Sequence, residues 1–392
     1  MPDAIDSSWS TDPSWSTARP EYYQYARLAE EHISKRRADF APFDGKPLFP
    51  MQLEVHVPNE TGTPCDLHCK HCSGNRMDQP LASFDDTLLL LIANLKGKIP
   101  LFIFAGAYVE PTLNPRLIDF IDAAKATKCS FGLHTHGGHL GRLEQRLGFM
   151  SRLCDQAATE DYVSISLDAG SAESYARTKR VSNGYYARVL SGVKHLVECR
   201  QNTGSRGPRV RLTYLINRWN CSPDEIAAAV GFARETGVDS LRFSIPYAPF
   251  GTSYDRTVNY KKAQEEPLAA QVTPVLLAFV SQDKTEIPYI SFLPPEYQDI
   301  EDRYRQHCHF GYFQITFGSD GYVYRCPTTA SPSFPDHRLG IIPSSAEVLL
   351  QIIARNQDPA FDPVTRCKPC GARCNRPAID INNNFESRWF GG

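Results

Sequence analysis

The sequence predicts an α/β fold: a partial (β/α)6 TIM barrel followed by a small, cysteine-rich C-terminal domain. Short apolar runs alternate with stretches of helical period six times between Gln52 and Ile245, which calls for parallel strands joined by right-handed crossovers. After Pro246 this pattern gives way to an irregular Tyr- and Pro-rich passage. Most of the twelve cysteines fall in two groups, one just after the first strand and one in the last 90 residues.

Composition narrows the classes of function. With 42 Lys and Arg against 44 Asp and Glu, the formal charge is −2, so no basic surface is available for counterion release, and nucleic acid is not an expected partner. The longest mainly apolar stretch, near Ile99 to Val109, is far short of the roughly 18 residues of a membrane span. The N-terminus lacks the basic and apolar regions of a signal peptide, so a cytoplasmic location is expected.

The elements follow in order. Residues 1–48 are read as a polar tail, with SWST at Ser8 to Thr11 and again at Ser14 to Thr17, and then a helix from Pro20. Residues 49–250 hold the barrel strands Gln52 to Val57, Leu101 to Ala105, Ser130 to Thr135, Tyr162 to Leu167, Arg209 to Ile216 and Ser240 to Ile245. Helical period marks Asp85 to Leu95, Pro115 to Ala126, Tyr186 to Arg200 and Pro223 to Thr236. Residues 251–302 are read as a linker with a helix near Pro267 to Ser281, and 303–392 as the cysteine-rich domain. In that domain Gln314 to Phe317 and Tyr322 to Arg325 flank Gly318-Ser319-Asp320-Gly321 and predict a hairpin. In such barrels chemistry belongs at the carboxyl ends of the strands.

In a reducing compartment these cysteines point to metal binding or catalysis rather than to disulfides. Cys65, Cys69 and Cys72 are spaced C-x3-C-x2-C on the loop after the first strand. Three thiolates on one loop suit three irons of a cubane cluster and leave the fourth open to a chelating molecule; a zinc knuckle completed by His68 or His71 is the alternative.

This motif resembles that of the radical S-adenosylmethionine enzymes, over roughly residues 50 to 250. The resemblance implies a 4Fe-4S cluster with S-adenosylmethionine on its open iron, reductive cleavage to a 5′-deoxyadenosyl radical, and hydrogen abstraction from a substrate. Ala105-Gly106-Ala107-Tyr108-Val109-Glu110-Pro111 is similar to the family's Gly-Gly-Glu-Pro loop, so Gly106, Glu110 and Pro111 are expected near the methionine amino group. Ser166, in Ser164-Ile-Ser-Leu-Asp168, takes the place of a serine near the methionine carboxylate, and His71 that of an aromatic residue near adenine. Arg188 is the first candidate for the cation that completes carboxylate binding, with Arg177 and Arg180 behind it. His134, His136 and His139 are expected to line the site or pack in the core rather than to hold a second metal.

Cys308, Cys326, Cys367 and Cys370 can close the shell of a second 4Fe-4S cluster, with Cys374 as an alternate ligand and a zinc ribbon as the alternative. The Gly321-x4-Cys326 hairpin and the later C-x2-C resemble the twitch auxiliary-cluster domain, related to SPASM, and the spacing is similar to that of an aminocyclitol dehydrogenase of the family. The resemblance implies oxidation of a polar small molecule (a sugar, an aminocyclitol or a related natural-product intermediate), with a flavodoxin- or ferredoxin-like electron donor. An epimerase or dehydratase would instead be redox-neutral; Cys221, in a strand-to-helix loop, is the candidate hydrogen-atom donor for the epimerase. A peptide-modifying enzyme is disfavoured by the roughly 50 residues before the first strand, too few for a leader-binding domain. A non-catalytic metal-binding protein is the reading from a different class.

Overall fold

A computed structural model describes residues 47–59, 64–69, 72, 82–106, 109–245, 262–283, 285–293, 308–332, 334–358 and 360–367. Its strands are β1 (Gln52–His56), β2 (Leu101–Ala105), β3 (Ser130–Thr135), β4 (Tyr162–Ser166), β5 (Arg209–Leu215), β6 (Ser240–Ser244), β7 (Tyr289–Leu293), β8 (Gln314–Phe317), β9 (Tyr322–Tyr324) and β10 (Arg338–Ile341). They form one sheet in the order β10-β9-β8-β1-β2-β3-β4-β5-β6-β7. Strands β1 to β7 are parallel in sequence order, so the six expected barrel strands are present and β7 adds a seventh from the stretch read as linker.

The C-terminal hairpin extends this sheet. Strand β8 pairs antiparallel with β9, as expected, and its other edge runs parallel to β1 with Gln52 opposite Gln314. Local pattern alone reveals the hairpin; the parallel pairing joins segments some 260 residues apart and has no local signature.

Helices α1 (Asp85–Asn94), α2 (Leu117–Ala126), α3 (Leu140–Leu147), α4 (Phe149–Gln156), α5 (Ala172–Lys179), α6 (Gly184–Asn202), α7 (Pro223–Thr236) and α8 (Lys262–Leu277) follow the strands, and α9 (Ala346–Asn356) follows β10. Sequence chemistry sets their ends. Ser222 caps α7 by accepting from the Glu225 amide, Pro223 opens it, and Gly237 ends it in the left-handed region. Gly148, at φ +59°, separates α3 from α4. Among the described residues no helix is long and apolar enough to cross a membrane.

The two faces of the sheet differ in chemistry. Leu53, Val55, Phe102, Phe104, Phe131 and Leu133 alternate along β1 to β3 on one face and are fully buried in the core, each contributing about 1.5–3 kcal/mol. The other face carries Gln52, Glu54, His56, His134, Tyr162, Ser164, Arg211 and Arg242 at the intervening positions. The charged groups of Glu54 on β1 and of Arg211 and Arg242 on β5 and β6 all act on His134 of β3, as expected of a sheet curled around this polar face.

Buried carboxylates tie the lower end of the sheet together. Asp161, fully buried, accepts from the Phe131 amide (2.8 Å), the Ala158 amide (2.7 Å) and Lys125 Nζ. Replacing Asp161 with Ala leaves a buried amide and an ammonium without their acceptor, so the protein should lose about 3–5 kcal/mol. A chemical-denaturation midpoint that stays at the parent value for Asp161→Ala would contradict this.

Candidate functional site

The first cysteine group lies beyond the carboxyl end of β1, on a loop fastened at several points. The Glu110 amide donates to the Pro64 carbonyl (2.8 Å), the Leu67 amide to Cys65 Sγ (3.4 Å) and the Cys72 amide to the Cys69 carbonyl (3.1 Å). Asp66 is the main anchor, with Oδ1 2.9 Å from His136 Nε2 and Oδ2 3.0 Å from His139 Nε2. Burial acts to raise the Asp66 carboxyl, but its bonds to His136 and His139 hold it well below the usual carboxylate range. Two of the three expected site-lining histidines therefore clamp the cysteine loop. His134 is turned instead to Tyr162 on the inner face, with Nε2 3.0 Å from the hydroxyl.

Glu110 links the loop after β2 to the end of β3. Its Oε1 accepts from the Thr112 amide and hydroxyl and from Thr135 Oγ1, and its Oε2 from the His136 amide (3.0 Å). Gly106 permits this fold of the loop, because a Cβ there would lie 2.0 Å from the Val109 carbonyl oxygen. Pro111 opens the short turn that Glu110 caps. Ser166 ends β4 on the inner face, beside Thr213 of β5.

The expected cations are all exposed, and the Tyr185 hydroxyl under Arg188 donates to Asp66 of the cysteine loop (3.3 Å). Arg188 is exposed and stacks on Tyr185 at 4.9 Å, Arg177 pairs with Glu173 at the surface, and Arg180 is exposed at the end of α5. The buried cation beside the cysteine loop is Lys179, 2% exposed, which pairs with Asp168. Burial would lower its pKa, but the adjacent Asp168 carboxylate outweighs this and holds Lys179 in its ammonium form. Sequence reasoning passed over it because a lysine in the last turn of a helix ordinarily faces water.

The donor set fits an iron-sulfur group. Burial pushes the Cys69 thiol up to about 12 and Cys65 higher still, and the three sulfurs are near enough to act on one another. They become thiolates only against a strong positive centre. Among the described residues, Cys65, Asp66 and His136 bring their ligand atoms within 4.8 Å of one another, whereas no three of Cys65, His68, Cys69 and Cys72 do so, the closeness a single zinc ion requires. The buried Tyr175 hydroxyl, without a hydrogen-bond partner among the described residues, faces the same region, where Lys179 and Cys69 act on it. His71 lies outside the described residues.

Cys308, Cys326 and Cys367 of the second group all act on Arg325, whose pKa burial lowers and the three cysteines only partly restore. The Arg325 guanidinium lies 3.8 Å from the Phe361 ring centre, and Cys326 Sγ is 3.0 Å from Thr328 Oγ1. Cys308 precedes β8 and Cys326 follows β9, which runs back antiparallel, so both lie toward the end of the sheet opposite the Cys65 loop. Cys370 and Cys374 lie outside the described residues. Cys221 occupies the loop between β5 and α7, half-buried, where it acts on Tyr214 of the helix-side core.

Comparison with solved structures separates this fold from other parallel barrels. SuiB of Streptococcus suis, bound to S-adenosylmethionine, matches with a TM-score of 0.57 at 15% identity over 90% of this chain and 76% of SuiB. The chain has the fold of the radical S-adenosylmethionine enzymes. The anSMEcpe structure with bound AdoMet matches with a TM-score of 0.51 at 14% identity over 87% of this chain and 97% of that one. A Pyrococcus furiosus protein, the tungsten-containing aldehyde ferredoxin oxidoreductase cofactor-modifying protein, is 24% identical over 190 residues, 47% of this chain. The matched segment spans half the length of that relative. No family model matches the chain.

Within this fold the buried ion pair can be tested by itself. Lys179→Met leaves Asp168 charged and buried, so it should cost about 3–5 kcal/mol, and adding Asp168→Asn should recover most of that. Equal unfolding midpoints for the single and double variants would show that the pair is not electrostatically coupled.

Proposed function

We propose that the protein is a radical S-adenosylmethionine oxidoreductase that dehydrogenates a polar small molecule with the help of one auxiliary cluster. A 4Fe-4S cluster on Cys65, Cys69 and Cys72 supplies, when reduced and loaded with S-adenosylmethionine, a 5′-deoxyadenosyl radical that takes a hydrogen atom from the substrate. The observation that carries the reading is the set of three half-buried thiols beyond β1, backed by a buried ammonium, in a fold shared with structures holding S-adenosylmethionine.

The chain's own residues divide the work. Asp66, His136 and His139 fix the cysteine loop, Glu110 braces the loop beside it, and Lys179 supplies the cation sought for the methionine carboxylate, with Ser166 nearby on β4. Cys308, Cys326, Cys367 and Cys370 would hold the auxiliary cluster, toward the opposite end of the sheet. An alcohol becoming a ketone loses one hydrogen atom, one proton and one electron; the auxiliary centre is the acceptor for the electron. A flavodoxin- or ferredoxin-like protein would reduce the first cluster.

Peptide modification is the second reading. SuiB has also been solved bound to its precursor peptide SuiA, in a structure that matches over 91% of this chain.

Anaerobic reconstitution tests the proposal. The parent should hold about eight irons per chain and cleave S-adenosylmethionine, and Cys65→Ala/Cys69→Ala/Cys72→Ala should hold about four and cleave none. A parent with about four irons removes the auxiliary cluster, and zinc without cleavage overturns the enzyme reading.

A further inference from the structure

A second set of metal-ligating side chains lies outside the barrel, on the layer of helices. Glu144 of α3 and His195 and Cys199 of α6 each bring one ligand atom within 4.8 Å of the others. The other described set this close, Cys65, Asp66 and His136, belongs to the cysteine loop. His195 and Cys199 are four residues apart, so they stand one turn apart on one face of α6. The next residue, Arg200, bonds the Pro208 carbonyl just before β5 and Asp239 just before β6. The set therefore lies toward the amino ends of the strands, away from the Cys65 loop.

We propose that Glu144, His195 and Cys199 form a zinc site that ties α3 to α6. Zinc bonds of about 2.3 Å to sulfur and 2.0–2.1 Å to nitrogen, at a tetrahedral angle, put the two ligand atoms about 3.6 Å apart. Cys199 Sγ and His195 Nε2 are 3.6 Å apart. On the other side of the ring, Nδ1 lies 3.6 Å from Glu198 Oε2, a carboxylate placed to hold the ring proton there and leave Nε2 to the metal. Glu144 is fixed in direction by its own donors: Oε2 accepts from the Met150 (2.6 Å) and Ser151 (3.2 Å) amides, and Oε1 from the Ser151 hydroxyl (2.6 Å). A carboxylate has about four acceptor sites, so these three bonds leave room for an ion.

The chemistry of the set favours zinc over harder ions. Thiolate, imidazole and carboxylate together suit a borderline-soft cation, and two anionic ligands match a divalent charge. Cys199 is buried, which raises its thiol; zinc takes the place of the thiol proton, which leaves to solvent. His195 is exposed, so an ion can enter from water, and a water molecule completes the fourth position. The site also bears on the cysteine loop. His139, which grips Asp66, is the residue that begins α3, and Glu144 lies five residues further along, about 7–8 Å of helix. A metal there holds one end of the helix whose other end fastens the loop.

Equilibrium dialysis of the tag-free, cluster-loaded protein against Zn2+ tests this, with zinc and iron counted on the same sample. One zinc per chain at micromolar or tighter affinity, with the iron count unchanged, is expected. His195→Gln and Cys199→Ser should each weaken zinc binding by about tenfold or more, and the double variant should lose it. Because His195 is exposed, His195→Gln without zinc should unfold at the parent's midpoint. Zinc should raise the midpoint of the parent and leave that of the double variant where it is. No zinc on the parent, zinc gained only as iron is lost, or full affinity in His195→Gln or in the double variant overturns the proposal. Cleavage of S-adenosylmethionine is not part of this readout, so the zinc site stands or falls separately from the enzyme reading.

Discussion

The upper end of the barrel depends on one buried ion pair, Asp168 with Lys179. Asp168 follows β4 at φ +50°, a conformation that costs an L residue roughly 1–2 kcal/mol. Its carboxylate also accepts from the Leu215 amide (2.7 Å), and its own carbonyl accepts from Asn220 (2.8 Å). The same pair therefore fixes the ends of β4 and β5 and the start of the loop that leads to α7. Burying two charges gains little net stability over apolar packing. Its consequence is positional: an ammonium is held, fully dehydrated, against Cys69, where a bound anionic cluster or a carboxylate would meet it.

The alternation of each strand separates two kinds of core. Apolar residues on the outer face pack against the helices and supply the stability. The inner face is polar and holds charges that would be costly unless they were paired or awaiting a ligand. Because β8 joins β1, the Gln52, Glu54 and Gln314 cluster closes one side of that interior with its own hydrogen bonds. On the opposite side the Arg211 guanidinium lies over the Tyr162 ring at 4.1 Å.

Much of this was legible in the sequence where the signal is local. Six strands, their helices, the hairpin and the C-x3-C-x2-C loop all follow from spacing and period. Three features needed the three-dimensional fold. Strand β7 sits in a passage whose Pro and Tyr content masks a five-residue run. Pairing of β8 with β1 depends on a contact between distant segments. Lys179 looks like any lysine at a helix end, whereas the more conspicuous Arg188 stacks on Tyr185 at the surface. The histidines show the reverse effect: His134, His136 and His139 look like one cluster, but the end of β3 sends His134 inward and turns the other two onto Asp66.

The positions of the two cysteine groups bear on how an oxidation could be organised. The Cys65 loop lies beyond the carboxyl end of β1, while Cys308 and Cys326 lie toward its amino end, because β8 runs parallel to β1 and β9 returns. Five residues of strand, about 13 Å of rise, lie between the two levels. A substrate in the barrel is then flanked by the proposed hydrogen acceptor above and the proposed electron acceptor below.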